Sequence, residues 1–103
     1  MQALSIARIG SDKRGTPRIW IEGQRLSRAG FIPAARYQVS LDEHNRTIKL
    51  SLTANGERLV SRKMRGNNEL PVIDLANGKL LDTFDGLESV KIRFEDGAVI
   101  ISP

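Results

Sequence analysis

The strongest constraint on this chain is that its alternating apolar segments recur twice in the same order. LSIARIG (Leu4 to Gly10) pairs with LVSRKMRG (Leu59 to Gly66), and PRIWIEG (from Pro17) pairs with PVIDLANG (from Pro71). YQVSL (from Tyr37) pairs with VKIRF (from Val90), and TIKLS (from Thr47) pairs with VIIS (from Val99). Each set reads strand, turn, strand, short helical or coil element, then strand, turn, strand. Such a repeat dictates architecture. One domain is expected over residues 1–103, made of two repeats at approximately 1–52 and 57–103. A half of about 50 residues buries too little apolar surface to stand alone. Two halves packed face to face solve that problem and hide strand edges. The expected fold is mainly β with one or two short helices, two ββαββ halves forming a pseudo-two-fold barrel. Its two N-terminal hairpins would sit side by side.

Within the first repeat, Leu4, Ile6 and Arg8 alternate before a polar turn from Gly10 to Gly15. Pro17 and the β-branched, aromatic run Ile19-Trp20-Ile21 then complete a hairpin. Residues 24–30 suit two helical turns with Leu26 and Ala29 on one face and Gly30 as the stop. Phe31 and Ile32 return to the core, and Pro33 blocks further helix. Tyr37, Val39 and Leu41 alternate, a polar turn spans Asp42 to Arg46, and Ile48, Leu50 and Leu52 answer as a second hairpin. The second repeat offers a strand from Leu59 to Met64, a turn at Arg65-Gly66-Asn67-Asn68, and a strand from Pro71 to Leu75. A short apolar segment from Lys79 to Phe84 gives little support for a helix. Val90, Ile92 and Phe94 then pair with Val99 to Ile101 across Glu95-Asp96-Gly97.

Hydrophobic residues make up 40% of the chain, enough for a modest core, and there is no cysteine. Disulfides, thiolate metal sites and Cys nucleophiles are thereby excluded, as suits a reducing cytoplasm. No apolar run approaches the ~20 residues of a membrane span, and the N-terminus lacks a signal-peptide layout. A cytoplasmic protein with no membrane partner is expected. The net charge of +4 is unevenly spread. Residues 1–68 carry 13 basic and 5 acidic residues, a net of +8, whereas residues 69–103 carry 3 and 7, a net of −4. That asymmetry is the footprint of a polyanion binder with one basic face.

The candidate contacts lie on and beside the first hairpin of each half: Arg8, Lys13, Arg14 and Arg18, then Arg58, Arg62, Lys63 and Arg65. Lys and Arg neutralise phosphates, and Arg can fork onto a guanine edge. Ser11, Asn67 and Asn68 offer hydrogen bonds to bases or phosphates. The plain alternative for all of these is turn residues and solvated charges. Arg25, Arg28 and Arg36 either extend the basic surface or pair with Glu22 or Asp42. Trp20 is expected in the core or at the contact between halves rather than stacked on bases, and so is Tyr37. An aromatic share of 5% makes a single-strand stacking platform a poor fit. His44 stands alone in an acidic turn, with no second His or Cys for zinc. Neither a nucleophile motif nor a phosphate-binding glycine loop occurs. Asp85 with Glu88, and Glu95 with Asp96, are ordinary turn carboxylates. No catalytic residues, metal or cofactor are expected, and the chain is read as non-enzymatic.

The stretch IWIEGQRLSRAGF, followed after five residues by YQVSLDEHNRTIKL, resembles the bacterial SymE-like toxins, with their G-x-x-L-x-x-A-G-F element before an alternating hairpin. ESVKIRFEDGAVIISP resembles the last hairpin of AbrB- and MazE-type swapped-hairpin domains. The resemblance implies a swapped-hairpin barrel that reads double-stranded DNA with basic N-terminal hairpins. Members are usually dimers, so two halves in one chain leave both a homodimer and a monomer with an internal pseudo-dyad open. Gly78 to Phe84 departs from the pattern by lacking A-G-F. Duplicated segments of this kind also resemble the N-terminal region of some bacterial DNA cytosine methyltransferases. Three functions follow: a DNA-binding module (an antitoxin-type regulator or the targeting domain of a DNA-modifying enzyme), an RNA-directed toxin, and a protein-interaction barrel. The lack of a convincing acid–base pair counts against the toxin.

Overall fold

In the computed structural model, which describes residues 3–11 and 13–103, alternation of apolar and polar side chains resolves into ten strands. Asp12, part of the first expected turn, lies outside the described residues. The strands are β1 (Ala3–Arg8), β2 (Gly10–Ser11), β3 (Pro17–Glu22), β4 (Arg36–Asp42) and β5 (Thr47–Leu52). They continue as β6 (Arg58–Leu59), β7 (Ser61–Arg65), β8 (Asn68–Leu75), β9 (Ser89–Glu95) and β10 (Ala98–Ser102). Two short helices, α1 (Gln24–Arg28) and α2 (Gly78–Leu81), stand between hairpins, and a 3-10 turn, Asp82–Phe84, extends α2.

All pairings are antiparallel, and they form two sheets. One has the order β1-β9-β10-β5-β4-β6 and the other β2-β3-β8-β7. The chain passes from the larger sheet to the smaller at two single residues, Ile9 between β1 and β2 and Val60 between β6 and β7. Val60 is buried and Ile9 packs half-buried against the same core, so each crossing is pinned by an apolar side chain. The core fills the space between the sheets. Ile19, Ile21, Ile73 and Leu75 enter it from the smaller sheet, and Ile48, Leu50, Val90, Ile92, Val99 and Ile101 enter from the larger. Each such side chain contributes roughly 1.5–3 kcal/mol on burial.

Helix α1 ends where the sequence places its stop. Gly30 adopts φ 97°, Phe31 N–H donates to the Leu26 carbonyl at 2.9 Å, and Leu26 and Ala29 face the core. The hairpin of β4 and β5 pairs Tyr37 with Leu52 through Asp42 with Thr47, close to the expected limits.

Several expectations are corrected. The sheets do not close into a barrel. Strand β6 is only two residues long, and the outer edge of β1 faces α1, whose Arg25 guanidinium donates to the Leu4 carbonyl at 3.3 Å. The first hairpin is shorter than expected. On its N-terminal side, Gly10 and Ser11 alone among the described residues pair with β3, because β1 is drawn away to pair with β9. The expected strand from Leu59 to Met64 is split at Val60, and its turn is tighter, with Arg65 directly opposite Asn68. A helix does form after Asn77, whose side-chain oxygen accepts from the Leu80 N–H at 3.1 Å and supplies the cap. Ile32, expected in the core, is exposed. Trp20 is 40% exposed, because flanking Ile19 and Ile21 both point inward and alternation turns the residue between them outward. Tyr37 is buried, with its ring edge-on to Phe31 at 6.0 Å between centroids.

Candidate nucleic-acid interface

The smaller sheet gathers most of the predicted contact residues. Its central pair is β3 against β8, with Trp20 directly opposite Asp74 and Ile21 opposite Ile73. Its outer strands, β2 and β7, begin the two hairpins, so the hairpins lie side by side. Because β3 and β8 run antiparallel, the two hairpin turns point away from each other at opposite ends of the sheet. Lys13 and Arg14 occupy one turn. Arg65, Gly66, Asn67 and Asn68 form the other, with Gly66 at φ 62° as a tight turn requires.

The outer face between those turns is wet and partly neutralised. Arg18 grips Asp74 through two bonds of 2.8 and 2.9 Å, and its guanidinium lies 4.6 Å from the Trp20 ring centroid. Its fork is therefore already engaged. On that face Lys63 sits 3.7 Å from Glu22, while Arg62, turned to the other face of β7 by alternation, lies 3.3 Å from Glu69. Exposed pairs of this kind contribute at most ~1 kcal/mol. One oxygen of Glu22 is buried without a hydrogen bond, which leaves Lys63 as its compensation. Residues 61–69 are all exposed, so the second hairpin projects beyond the core and its cations are accessible. Lys13, Arg65, Ser11, Asn67 and Asn68 are exposed as well.

Two predicted residues are not part of this face. Arg8 lies on β1 in the larger sheet, opposite Ser89. Arg58 lies on β6, half-buried opposite Tyr37. Burial of Tyr37 raises its phenol above the ordinary value, and the adjacent Arg58 partly offsets that rise. The expected surface pairs are also rearranged. Arg36 donates to the Gly56 carbonyl at 3.2 Å, Asp42 is bound by Asn45, and Glu22 takes Lys63 instead of a helix arginine.

Sequence reasoning missed a second basic surface. Register aligns Leu4, Arg93, Ile100, Lys49 and Ser40 in one row across the outer face of the larger sheet, with Lys91 in the next row beside Ile6. The signal was present, since strict alternation turns Lys49, Lys91 and Arg93 outward. It was masked by the net acidity of the last third of the chain. Among the described residues no cluster of His, Asp and Glu is placed to hold a metal ion. Comparison with known protein families, curated proteins and solved structures gave no match to this chain.

Proposed function

We propose that the chain is a duplex-DNA-binding module whose two basic hairpins are related by an internal pseudo-two-fold. Strand pairing supports the duplication. Exchanging β1 to β5 for β6 to β10, element by element, returns both sheet orders read from the other end. The pairing of β1 with β9 is answered by that of β4 with β6, so each half lends its first strand to the other. That exchange is what a swapped-hairpin arrangement requires. Matching Pro17 with Pro71 makes Trp20 the counterpart of Asp74, and these two residues face each other where an axis would pass. The matches of Tyr37 with Val90 and Ile48 with Val99 fit the same exchange. The first segment needs a different register, with Ile9 rather than Ala3 to Arg8 as a whole as the anchor, matched to the crossing residue Val60.

The observation that carries the functional reading is the juxtaposition of the two hairpins, with cations at both ends of one exposed sheet. A duplex presents phosphates with approximate dyad symmetry, and two symmetric protein elements address them together. Lys and Arg at the turns would release counterions, and Arg65, Asn67 and Asn68 would reach base edges or sugar–phosphate oxygens. A small regulator and the targeting domain of a DNA-modifying enzyme both need such a module.

Binding to a random 16-base-pair duplex across a salt series tests this. Replacing Arg62 and Lys63 together with Ala should weaken binding and flatten the slope of log K against log salt by about 1.8. A paired variant, Lys49→Ala with Lys91→Ala, should keep the parent slope. Absence of duplex binding at low salt would refute the proposal. Loss confined to the Lys49 and Lys91 variant would transfer the interface to the larger sheet and refute the hairpin assignment.

A further inference from the structure

We infer that the outer edge of β1, held by α1 at the Leu4 carbonyl, is a docking site for an extended acidic segment of a partner protein, added as a further strand. The inference stands apart from DNA binding and rests on other cations, Arg25 and Arg28, although Trp20 and Glu22 border both surfaces. Strand β1 is an outermost strand of the larger sheet, and it is six residues long where its opposite edge, β6, has two. Proteins normally shorten, charge or cover such an edge. Here Leu4 and Ile6 are 60% and 73% exposed, the two most exposed large apolar side chains among the described residues. The ladder with β9 and the bond from Ile9 N–H to the Glu88 carbonyl turn odd-numbered backbone groups inward. Leu4, Ile6 and Arg8 therefore turn their N–H and C=O groups away from β9, and of these the Leu4 carbonyl accepts from Arg25.

That side opens into a groove of about 570 Å³ lined by residues of β1, β3, α1 and β9. Ile6, Ala7, Trp20, Ile92 and Phe94 give it an apolar floor and wall. Its rim carries two arginines of α1. Arg25 holds the Leu4 carbonyl through a long bond of 3.3 Å, a place that an incoming backbone N–H would take. Arg28 makes no hydrogen bond or ion pair among the described residues. The one acid on the groove, Glu22, is turned to Lys63. An added strand would satisfy open backbone groups and place the apolar side chains of one face against Ala7, Trp20 and Phe94, with Arg25 and Arg28 at the rim to meet carboxylates.

Trp20 is the only tryptophan and lines the groove, so its fluorescence reports occupancy directly. The probes are a capped hexapeptide alternating Glu with Val and its Lys-for-Glu counterpart. The acidic peptide should shift the Trp20 emission saturably, and the Lys peptide should not. Arg25→Ala with Arg28→Ala should weaken the acidic peptide at least tenfold. Ile6→Pro removes an edge donor without touching the ladder to β9 and should also weaken it, with circular dichroism reporting whether the fold is kept. Equal binding of both peptides, or none, would overturn the proposal. Concentration-dependent self-association lost in Ile6→Pro would assign the edge to a second copy instead. Loss of duplex affinity in the double arginine variant, with peptide binding intact, would return α1 to a nucleic-acid surface.

Discussion

At the residue scale, two positions show how little freedom the core allows. Tyr37 is buried with its ring against Phe31, and burial raises its phenol pKa. A folded pKa above the unfolded value near 10 means that stability tied to the neutral phenol is complete below that pH. It is lost as pH rises through the folded value. The urea midpoint should therefore fall on going from pH 9 to beyond pH 10, and Tyr37→Phe should remove that part of the fall. An unchanged alkaline slope in the variant would mean that other groups set it. Gly56 shows a steric limit. Its hydrogen-bonded turn lies against the Tyr37 backbone, and a Cβ there would overlap Tyr37 main-chain atoms that cannot give way. Gly56→Ala should cost on the order of 3 kcal/mol in chemical denaturation, because backbone and not a flexible side chain is in the way. A cost below about 1 kcal/mol would show that the turn relaxes.

At the element scale, what the sequence made legible follows from the strength of each local signal. Hairpin β4–β5 and the stop of α1 at Gly30 were readable because alternation and a glycine at positive φ act locally. Partner choice was not readable. Residues 3–8 alternate like half of a local hairpin, yet they pair with β9, some eighty residues on, because Ile9 carries the chain out of one sheet and into the other. Trp20 was misplaced because β propensity favours it in a strand without saying which face it takes. The candidate site was legible as residue types at turns, but not as one surface, since Arg8 and Arg58 fall in the larger sheet. Helix α2 escaped because its support is a single cap with no apolar periodicity. That cap gives a prediction. Asn77→Ala should lower stability by about 1 kcal/mol, measured by denaturant midpoint, through loss of the bond to the Leu80 N–H. Asn77→Asp should retain most of it. Equal loss in both would place the role of Asn77 elsewhere than in capping.

At the scale of the whole molecule, the two hairpin turns cannot both touch a short ligand. They sit at opposite ends of the smaller sheet, and the longest dimension of the molecule is 37 Å. The molecule as a whole is thus about as long as one turn of B-form DNA, about 34–36 Å, and the spacing of the hairpin turns is to be compared with that repeat. If both turns contact phosphates at once, affinity and salt dependence must grow with duplex length until one full turn is available, then level off. A duplex of about 8 base pairs should bind through one hairpin with roughly half the salt slope of a 16-base-pair duplex, because slope counts neutralised phosphates. Removing either pair of cations, Lys13 with Arg14 or Arg62 with Lys63, should reduce the long-duplex slope and leave much of the short-duplex slope intact, since the other hairpin can serve alone. A single chain per 16-base-pair duplex should suffice, measured by sedimentation, because the second half already supplies what a partner subunit would. Equal slopes on the two duplexes would mean that one hairpin makes all the contacts. The proposed internal two-fold would then serve to build the core between the two sheets, and not to read DNA.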